Sequence, residues 1–575
     1  MRKQTKVVAV ASAAALLAIG ASMTSFAATG WVEEDGQWYF YDKDGNRVED
    51  EWKKSGDNWY WLDSEEGGAM AVDKLIEDDE DYYYVDGNGV MVTNTWVKVV
   101  NEDQDDDDDP AEYHYYYMQS NGKAYKGDGT SVSKKTIDGK RYAFDEDGVM
   151  LYGWVTESGT MANGEDEWSA SDVMYYFGGW EDGSMKTGWQ KITVHDNEDG
   201  KDDDYDYWFN FKSNGHRRAH ANADDTWKSN SRYYHFDERG VMVYQWFETA
   251  TTNSASASNW AYFSSPEDGA RVTKGWFKVV APTEDNSFLE SDVTFAKKDS
   301  DDESERWYYS DSKDNGLVVG EIKKIKGKYY GFWPDDGQKG GRMLVGLCAL
   351  QMNEADGSKI DKVVVADMDS DDLDDFMDTY GTKSQEETGI YLYYFGDGED
   401  GSMKTGSVSL NLDGDSYQFQ FKKTGAADSR GRGVNGVDDG KYIYKYGQKV
   451  KADTDDKYTL VYANGNINDS NVVVEDFDNS DIKGIAKTFD LAAKKGSDED
   501  NLRGYCGFGT AQEGWYLVNT SGRIQTGTKS GTKDGYDMYW FMYKDNIKFY
   551  ADDKNISDYD ELKGDGWHSY FDNLK

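Results

Sequence analysis

The chain has 575 residues, a formal net charge of −47 and 15% aromatic residues, with 20 Trp and 43 Tyr. Because nucleic-acid binding depends on Lys and Arg meeting phosphates, so acidic a chain is not expected to bind nucleic acid. The apolar content is only 38% and the mean hydropathy is −0.86, so Tyr and Trp must provide most of the buried surface while their polar tips stay wet. We therefore expect a thin, extended architecture, which the acidic side chains keep soluble.

Residues 1–27 have the pattern of an export signal. Arg2 and Lys3 form a basic start, an apolar stretch follows from Val7, and Ser25 to Ala27 supply small residues for a signal peptidase. Cleavage after Ala27 is expected, and an uncleaved membrane anchor is the alternative. No second apolar stretch reaches the length of a membrane span, so we predict no transmembrane segment.

A repeated unit begins directly after this segment. Trp31 and Trp52 are 21 residues apart, and so are Trp38 and Trp59. Each unit reads Gly-Trp, a short polar strand, a Gly turn, a run of aromatic residues, and a Gly-x-Met ending. Within the run 38–41 successive side chains would point to opposite faces of a strand, so the unit is predicted to be a β-hairpin with a connecting turn.

Further copies of the unit occur along most of the chain. The fourteen residues of 175–188 recur at 393–406 with only two differences. Such self-similarity indicates stacked small units that bury a core only together. We predict a repeat array over 28–426 and a diverged, repeat-like region over 427–575, with a short helix at 486–495. Long insertions, predicted to be acidic loops, stretch the array at 97–113, 277–306 and 347–390.

These motifs resemble the cell-wall-binding repeats, also called choline-binding repeats, of Gram-positive surface proteins. The closest matches to the pattern are at 185–189 and 514–527. The resemblance implies an all-β, extended solenoid of stacked β-hairpins, in which ligand lies between two aromatics of one hairpin and one of the next. The ligand in that family is choline on teichoic acid, whereas related repeats of glucan-binding proteins and clostridial toxins bind carbohydrate.

An aromatic box suits choline on chemical grounds as well. A quaternary ammonium has no hydrogen-bond donor, and each ring face contributes roughly 0.5–2 kcal/mol to holding it. Sugars also stack on Trp and Tyr, and in a hairpin ladder the same rings can simply be core. Units that lack the leading Trp, at Leu75 and Ile137, are expected to have incomplete boxes. The predicted ligand-binding residues are Trp31, Trp38, Phe40, Trp52, Trp59, Trp61, Trp154, Tyr175 and Trp189.

Other chemistry has little support in the sequence. None of the six His residues lies in a metalloprotease or nucleophile motif, and His216 and His220 have zinc-like spacing only if they are helical. The acidic run from Asp367 could start a calcium loop, but Asp372 replaces the required Gly, so a solvated acidic loop is the other interpretation. Cys348 and Cys506 could form a disulfide or remain two thiols. We predict no catalytic residue, metal or cofactor.

The predicted function is that of a secreted, non-catalytic surface protein that binds choline-bearing teichoic acid or another cell-wall polymer. Attachment should be non-covalent, because a Leu-Pro-x-Thr-Gly sorting motif is absent. The alternative is a carbohydrate-binding module or adhesin for a glucan or host glycan. A cell-wall hydrolase is disfavoured, since no stretch is free of repeats and able to house a catalytic domain. The oligomeric state is not predicted.

Overall fold

The structure is a computed structural model that describes residues 29–102, 104, 111–197, 202–222, 225–249, 257–282, 304–311, 316–335, 340–496 and 498–572. The predicted export signal, the acidic run 105–109 and most of the insertion at 277–306 therefore lie outside the described residues. The chain divides into two compact units, residues 1–243 and 244–575. The predicted division at 426 stays a prediction.

The first unit consists of short antiparallel hairpins in chain order. The tight hairpin turns among the described residues use residues that tolerate positive φ, such as Asp35 at 51° and Gly36 at 86°, as twisted hairpins require. Its strands are β1 (Gly30–Glu34), β2 (Gln37–Tyr41), β3 (Glu51–Ser55), β4 (Asn58–Asp63), β5 (Ala69–Met70), β6 (Lys74–Asp78), β7 (Asp81–Val85), β8 (Thr95–Val100), β9 (Tyr113–Met118), β10 (Lys135–Ile137), β11 (Lys140–Tyr142), β12 (Trp154–Thr156), β13 (Val173–Tyr176), β14 (Gly188–Asp196), β15 (Asp203–Phe211), β16 (Trp227–Ser229) and β17 (Arg232–Tyr234).

The Gly-x-Met ending links each hairpin to the one before it. After β7 the chain turns back, so that Met91 forms a bridge with Val85. The backbone N–H of Met91 then donates to the carbonyl of Trp59 in the preceding hairpin, at 2.9 Å. Met150 and Met242 repeat this arrangement by donating to Tyr115 and Trp208. The ending therefore satisfies backbone groups between hairpins, which no single hairpin could do alone.

The second unit starts with similar hairpins and continues into larger antiparallel sheets. Its strands are β18 (Trp246–Glu248), β19 (Trp260–Tyr262), β20 (Gly275–Val279), β21 (Arg306–Asp311), β22 (Gly316–Leu317), β23 (Ile322–Ile325), β24 (Lys328–Gly331), β25 (Leu347–Met352), β26 (Ile360–Val365), β27 (Ile390–Tyr394), β28 (Gly406–Leu412), β29 (Asp415–Phe421), β30 (Gly436–Asp438), β31 (Tyr442–Lys445), β32 (Gln448–Lys449), β33 (Tyr458–Ala463), β34 (Val474–Phe477), β35 (Lys487–Leu491), β36 (Leu502–Cys506), β37 (Trp515–Asn519), β38 (Lys529–Lys533), β39 (Tyr539–Tyr543) and β40 (Asn546–Ala551). The sheet orders beyond residue 346 are β26-β25-β27, β28-β29-β32-β31-β30, β34-β33-β37 and β35-β36-β40-β39-β38.

The α-helices of the described chain are short, so the predicted all-β class is confirmed. They are α1 (Ser370–Tyr380), α2 (Gln385–Thr388), α3 (Ile482–Ile485) and α4 (Trp567–Tyr570). None of the described helices is long and apolar enough to cross a membrane.

The acidic run from Asp367 was predicted to be a loop, and this prediction is wrong because α1 forms there. Asp369 caps the helix by accepting the N–H of Asp372 at 2.8 Å, and acidic residues favour the first turn of a helix. Leu373 and Phe376, three residues apart, bury the inner face. The cap also accounts for the carboxylate at Asp369, which the calcium interpretation had treated as a ligand.

The helix predicted at 486–495 is also wrong. Residues Lys487 to Leu491 form β35, which pairs antiparallel with β36. Phe489 and Leu491 alternate along it and pack on the same hydrophobic cluster as Cys506. Burial of this period-two pattern outweighs the helix propensity of the Ala and Lys residues that follow.

Both cysteines are buried free thiols, which resolves the alternative that the sequence left open. Cys348 lies in one hydrophobic cluster and Cys506 in another. Burial raises the pKa of the Cys348 thiol to about 12 and raises that of Cys506 as well. Since only the thiolate is nucleophilic, both residues act as small apolar core groups at neutral pH.

Candidate functional site

The first predicted site residues meet where two successive hairpins pack together. Trp31 lies directly opposite Phe40 in the β1–β2 register, and their ring centroids are 5.4 Å apart, edge to face. Tyr60 of the next hairpin contacts the same indole at 5.3 Å. Edge-to-face rings at these separations attract one another beyond the area they bury. Trp31 therefore has one aromatic neighbour from its own hairpin and one from the next.

The same geometry recurs one repeat later. Trp52 lies opposite Trp61 at 5.3 Å, and Tyr83 of the following hairpin is 5.1 Å from it. The indole Nε1 of Trp52 donates to Asp78 Oδ2 at 3.0 Å. Because Asp78 belongs to the following hairpin, this hydrogen bond fixes the indole across the step between the two hairpins.

Trp38 and Trp59 line the open side of these two clusters. Each precedes the strand partner of the leading Trp, half-buried Phe40 or buried Trp61, by two residues on the same strand, which places it on the same face. Trp38 is partly exposed, and Trp59 is 40% exposed. We call Trp31, Trp38 and Tyr60 the first box, and Trp52, Trp59 and Tyr83 the second box. Phe40 and Trp61 pack behind the leading Trp of each box.

The charge beside the first box is negative and well anchored. Glu34 accepts the hydroxyl of Tyr41 at 2.8 Å and also pairs with Arg47. These contacts, the Tyr41 hydrogen bond first, hold the pKa of Glu34 below its ordinary value. Glu33 lies opposite Trp38 in the register and is exposed. Two acidic side chains therefore lie beside the box, Glu34 in an ion pair with Arg47 and Glu33 at the surface.

Trp154 and Tyr175 lie in the core of their repeat. They are 6% and 4% exposed, respectively. Trp154 contacts Phe209 of the next hairpin at 5.0 Å, and the Tyr175 hydroxyl bonds His216 Nε2 at 2.6 Å. A ligand at these rings would have to displace packed side chains, and their role as ligand-binding residues stays a prediction.

Trp189 lies in a larger aromatic cluster between β14–β15 and β16–β17. Tyr234 is 5.0 Å from it, Trp227 5.7 Å and Phe236 5.6 Å. All three partners come from the following repeat, so the inter-hairpin step is the same as at Trp31. Its role as a ligand residue likewise stays a prediction.

Tyr60 and Tyr83 complete the two boxes, and the sequence interpretation did not single them out. Each is the middle residue of its aromatic triplet, so strand alternation turns it away from its own Trp and toward the preceding hairpin. The signal was present in the sequence, since the same middle position recurs at Tyr39, Tyr60 and Tyr83, 21 and then 23 residues apart. Which Trp this middle Tyr contacts depends on the order in which the hairpins stack, and that order is seen only in the structure.

The part of the chain that the structure describes contains no assembled metal-binding site. No three His, Cys, Asp or Glu side chains there converge in a way that could hold a metal ion. His216 and His220 lie in the loop after β15, as the sequence indicated. They have different partners, His216 bonding Tyr175 and His220 lying beside His235. The i, i+4 spacing therefore brings no shared ligand set together.

Comparison with known proteins identifies the class of these hairpins. Residues 28–74 match the sequence profile of the choline-binding repeat family. This segment contains Trp31, Trp38, Tyr60 and the Trp residues of the second box. The resemblance drawn from the sequence is thus confirmed for this segment: residues 28–74 carry choline-binding repeats. A search of curated protein sequences finds no significant match.

Solved structures that resemble parts of the chain come from Streptococcus pneumoniae. The modular autolysin LytC, solved with a synthetic peptidoglycan ligand, is 16% identical over 57% of this chain and 56% of its own, with a TM-score of 0.28. The choline-binding domain of CbpL is 22% identical over 43% and 100%, with a TM-score of 0.25. CbpJ is 18% identical over 73% and 99%, with a TM-score of 0.27. This chain thus spans little more than half of the autolysin, and scores below 0.5 establish no common overall arrangement.

Proposed function

We propose that this is a non-catalytic cell-surface protein that attaches itself to choline-bearing teichoic acid, or a similar cell-wall polymer, through aromatic boxes. The observation that carries the proposal is the packing of Tyr60 against Trp31, 5.3 Å apart across two hairpins. Trp38 stands on the same open face, and all three residues lie within the segment that matches the choline-binding repeat.

A trimethylammonium group suits such a box because its charge is spread over methyl groups that cannot donate hydrogen bonds. Three ring faces hold it by cation–π attraction, at roughly 0.5–2 kcal/mol per ring. The partly exposed Trp38 and Trp59 keep the entrance open, whereas Tyr60 is buried. Packing sets the ring positions before ligand arrives, so little side-chain entropy is lost on binding.

Attachment to a polymer follows from repetition of the boxes. Each box alone is expected to bind weakly, but the choline groups of one polymer chain can occupy the first and second boxes together. The second contact is then intramolecular, and affinity rises without any new type of contact. We infer that the hairpins form an extended solenoid over 28–426 that presents the boxes in a row, and that residues 1–27 direct export. The consecutive Met-to-carbonyl links between hairpins support the solenoid.

The test is elution from a tertiary-amine resin that mimics choline. A chain of net charge −47 binds any anion exchanger, so choline chloride must be compared with sodium chloride at equal ionic strength. We expect choline to elute the protein at a lower concentration. Equal elution by the two salts contradicts the proposal, and retention on glucan or host-glycan resin would then favour the carbohydrate alternative.

A pair of variants localises the site. Trp59→Ala removes an exposed wall of the second box and should lower the choline concentration needed for elution. Tyr536→Ala removes another exposed aromatic residue, 54% accessible and outside the matched repeats, and should leave elution unchanged. If both variants elute alike, retention does not depend on the box.

A further inference from the structure

One hairpin of the first unit departs from the rule that the leading Trp faces an aromatic residue. Opposite Trp189, in the register of β14 and β15, lies Asn210. The corresponding partners elsewhere are aromatic in every case: Phe40 for Trp31, Trp61 for Trp52, Tyr117 for Trp96, Tyr176 for Trp154, Tyr262 for Trp246 and Tyr309 for Trp276.

Asn210 has a charged hydrogen-bond partner. Its Oδ1 accepts a hydrogen bond from Nε of Arg218 at 2.8 Å. The guanidinium carbon of Arg218 then lies 4.1 Å from the ring centroid of Trp227, which itself packs 5.7 Å from Trp189. A cation of the chain is therefore held at the aromatic cluster between these two hairpins.

Arg217 places a second cation at the preceding aromatic cluster, the one around Trp154. Arg217 is 5% exposed, and its guanidinium carbon lies 5.6 Å from the ring centroid of Trp154. It donates to the backbone carbonyls of Trp168, at 2.6 Å, and Ala170, at 2.9 Å. Burial lowers its pKa to about 10, so the group is still charged at neutral pH.

Both arginines stand where several other repeats have apolar residues, although Arg47 has the Arg217 position in the first repeat, opposite Tyr41. Lys186 likewise has the Arg218 position, donating its backbone N–H to Tyr176. Arg217 bridges Phe211 as Met91, Met150 and Met242 bridge their partners. Arg218 donates its backbone N–H to Asn210 at 2.8 Å, in the place where Val48 donates to Phe40 and Val243 to His235. Two cations in succession, each over a Trp ring of a neighbouring cluster, thus distinguish this repeat from those with a single cation.

We propose that Arg217 and Arg218 are built-in occupants of two successive aromatic clusters, and that they exclude external quaternary ammonium groups from Trp154 and Trp189. The inference rests on the proposed function and narrows its sites to boxes without an internal cation. In the second box the exposed Lys54 has its Nζ 5.9 Å over the ring of Trp59, so the first box is the clearest site left for choline. Among the described residues, the cation–π contacts involve none of Trp31, Trp38 and Tyr60.

The exclusion has a simple physical basis. A guanidinium and a trimethylammonium group gain similar energies from a ring face. Arg218 is tethered beside Trp227 and hydrogen-bonded to Asn210, so its effective concentration there far exceeds that of free choline. Choline binding at Trp227 would also displace Arg218 from Asn210 Oδ1, which accepts its hydrogen bond. At equal affinity for the ring, Arg218 therefore occupies the cluster in preference to choline.

Counting bound choline in the full chain tests the exclusion. Arg218→Val, which restores the residue found at the same place in other repeats, should bind one more labelled choline per chain in equilibrium dialysis than wild type. Lys228→Ala is the matched control, because Lys228 lies next to Trp227 in β16 with its Nζ 5.2 Å over Tyr233. An unchanged number in a folded Arg218→Val variant overturns the proposal, as would an equal gain in the control.

A second measurement reports on the wild-type protein directly. In wild-type protein the Hε resonance of Arg218, assigned by its loss in Arg218→Val, should be shifted upfield by the Trp227 ring current. An unshifted resonance overturns the placement. If wild type binds no choline at all, the proposed function fails, while a shifted Hε still upholds the internal occupancy. The two ideas therefore fail separately.

Discussion

The side chains of His220 and His235 face each other in the first unit, with their Nδ1 atoms 3.2 Å apart. Nδ1 of His220 also accepts the backbone N–H of Phe236 at 3.1 Å, so it carries no proton. Nδ1 of His235 bonds the carbonyl of Asp225 and therefore donates. Two donors thus converge on one unprotonated imidazole nitrogen, and protonation of that nitrogen would bring three N–H groups together.

This arrangement predicts a loss of stability in mild acid. Burial lowers the pKa of His220, although the Asp225 carboxylate opposes this, and Arg218 and Lys212 add to the lowering. The unfolded chain then binds the proton more readily than the folded chain. The contribution of His220 is therefore fully present above its unfolded pKa of about 6.5 and is lost as pH falls below it.

Urea unfolding at pH 7.5 and pH 5.5 measures this effect. Wild type should lose roughly 1 kcal/mol more between these pH values than His220→Asn, since the Asn Oδ1 can accept the Phe236 N–H at either pH. Subtracting the variant removes the contribution of every other titrating group. Parallel losses in the two proteins would show that His220 is not the sensitive group.

Trp52 and Trp59 are predicted to separate stability from binding. Trp52 packs on Trp61 and Tyr83 and donates to Asp78, so Trp52→Ala should cost about 3 kcal/mol and lower the melting temperature. Trp59 is largely at the surface, and Trp59→Ala should change stability by no more than about 0.5 kcal/mol. Calorimetry of the two variants checks this, and equal losses would place Trp59 in the core.

A glycine pair tests the contact between the Gly-x-Met endings. Gly139 and Gly183 have φ of 80° and 56°, so replacing either by Ala costs about 1 kcal/mol of backbone strain. A Cβ at Gly139 meets nothing within 4 Å, whereas one at Gly183 overlaps the Sδ and Cε atoms of Met150. Gly183→Ala should therefore cost roughly 1–3 kcal/mol more than Gly139→Ala. Equal denaturant midpoints for the two variants would contradict this packing.

The two thiols give a prediction that requires no mutation. Cys348 and Cys506 are buried and unbonded, so a thiol reagent should titrate two groups per chain in denaturant without a reductant, and fewer in the native state. Reduction should leave the melting temperature unchanged. A zero thiol count in denaturant, or a lower melting temperature after reduction, would indicate a disulfide.

Much of this architecture could be read from the sequence because its units are local. A β-hairpin is specified by its own turn and by strand alternation, so Gly36, Trp38 and the Gly-x-Met endings were sufficient to predict the unit and its class. The two elements that were predicted wrongly, α1 and β35, lie where burial against other parts of the chain decides the secondary structure. Asp369 caps a helix because Leu373 and Phe376 find a core, and Phe489 lies in a strand because β36 is beside it.

The sequence by itself determined the repeat, the all-β class and the aromatic residues that supply cation-binding faces. Only the tertiary structure decided which rings face which neighbours: Tyr60 turns toward Trp31, while Trp154 is enclosed with Phe209 and Arg217. The reason is that a box belongs to two hairpins at once. Its openness depends on how one repeat packs on the next, and no property of a single repeat fixes that.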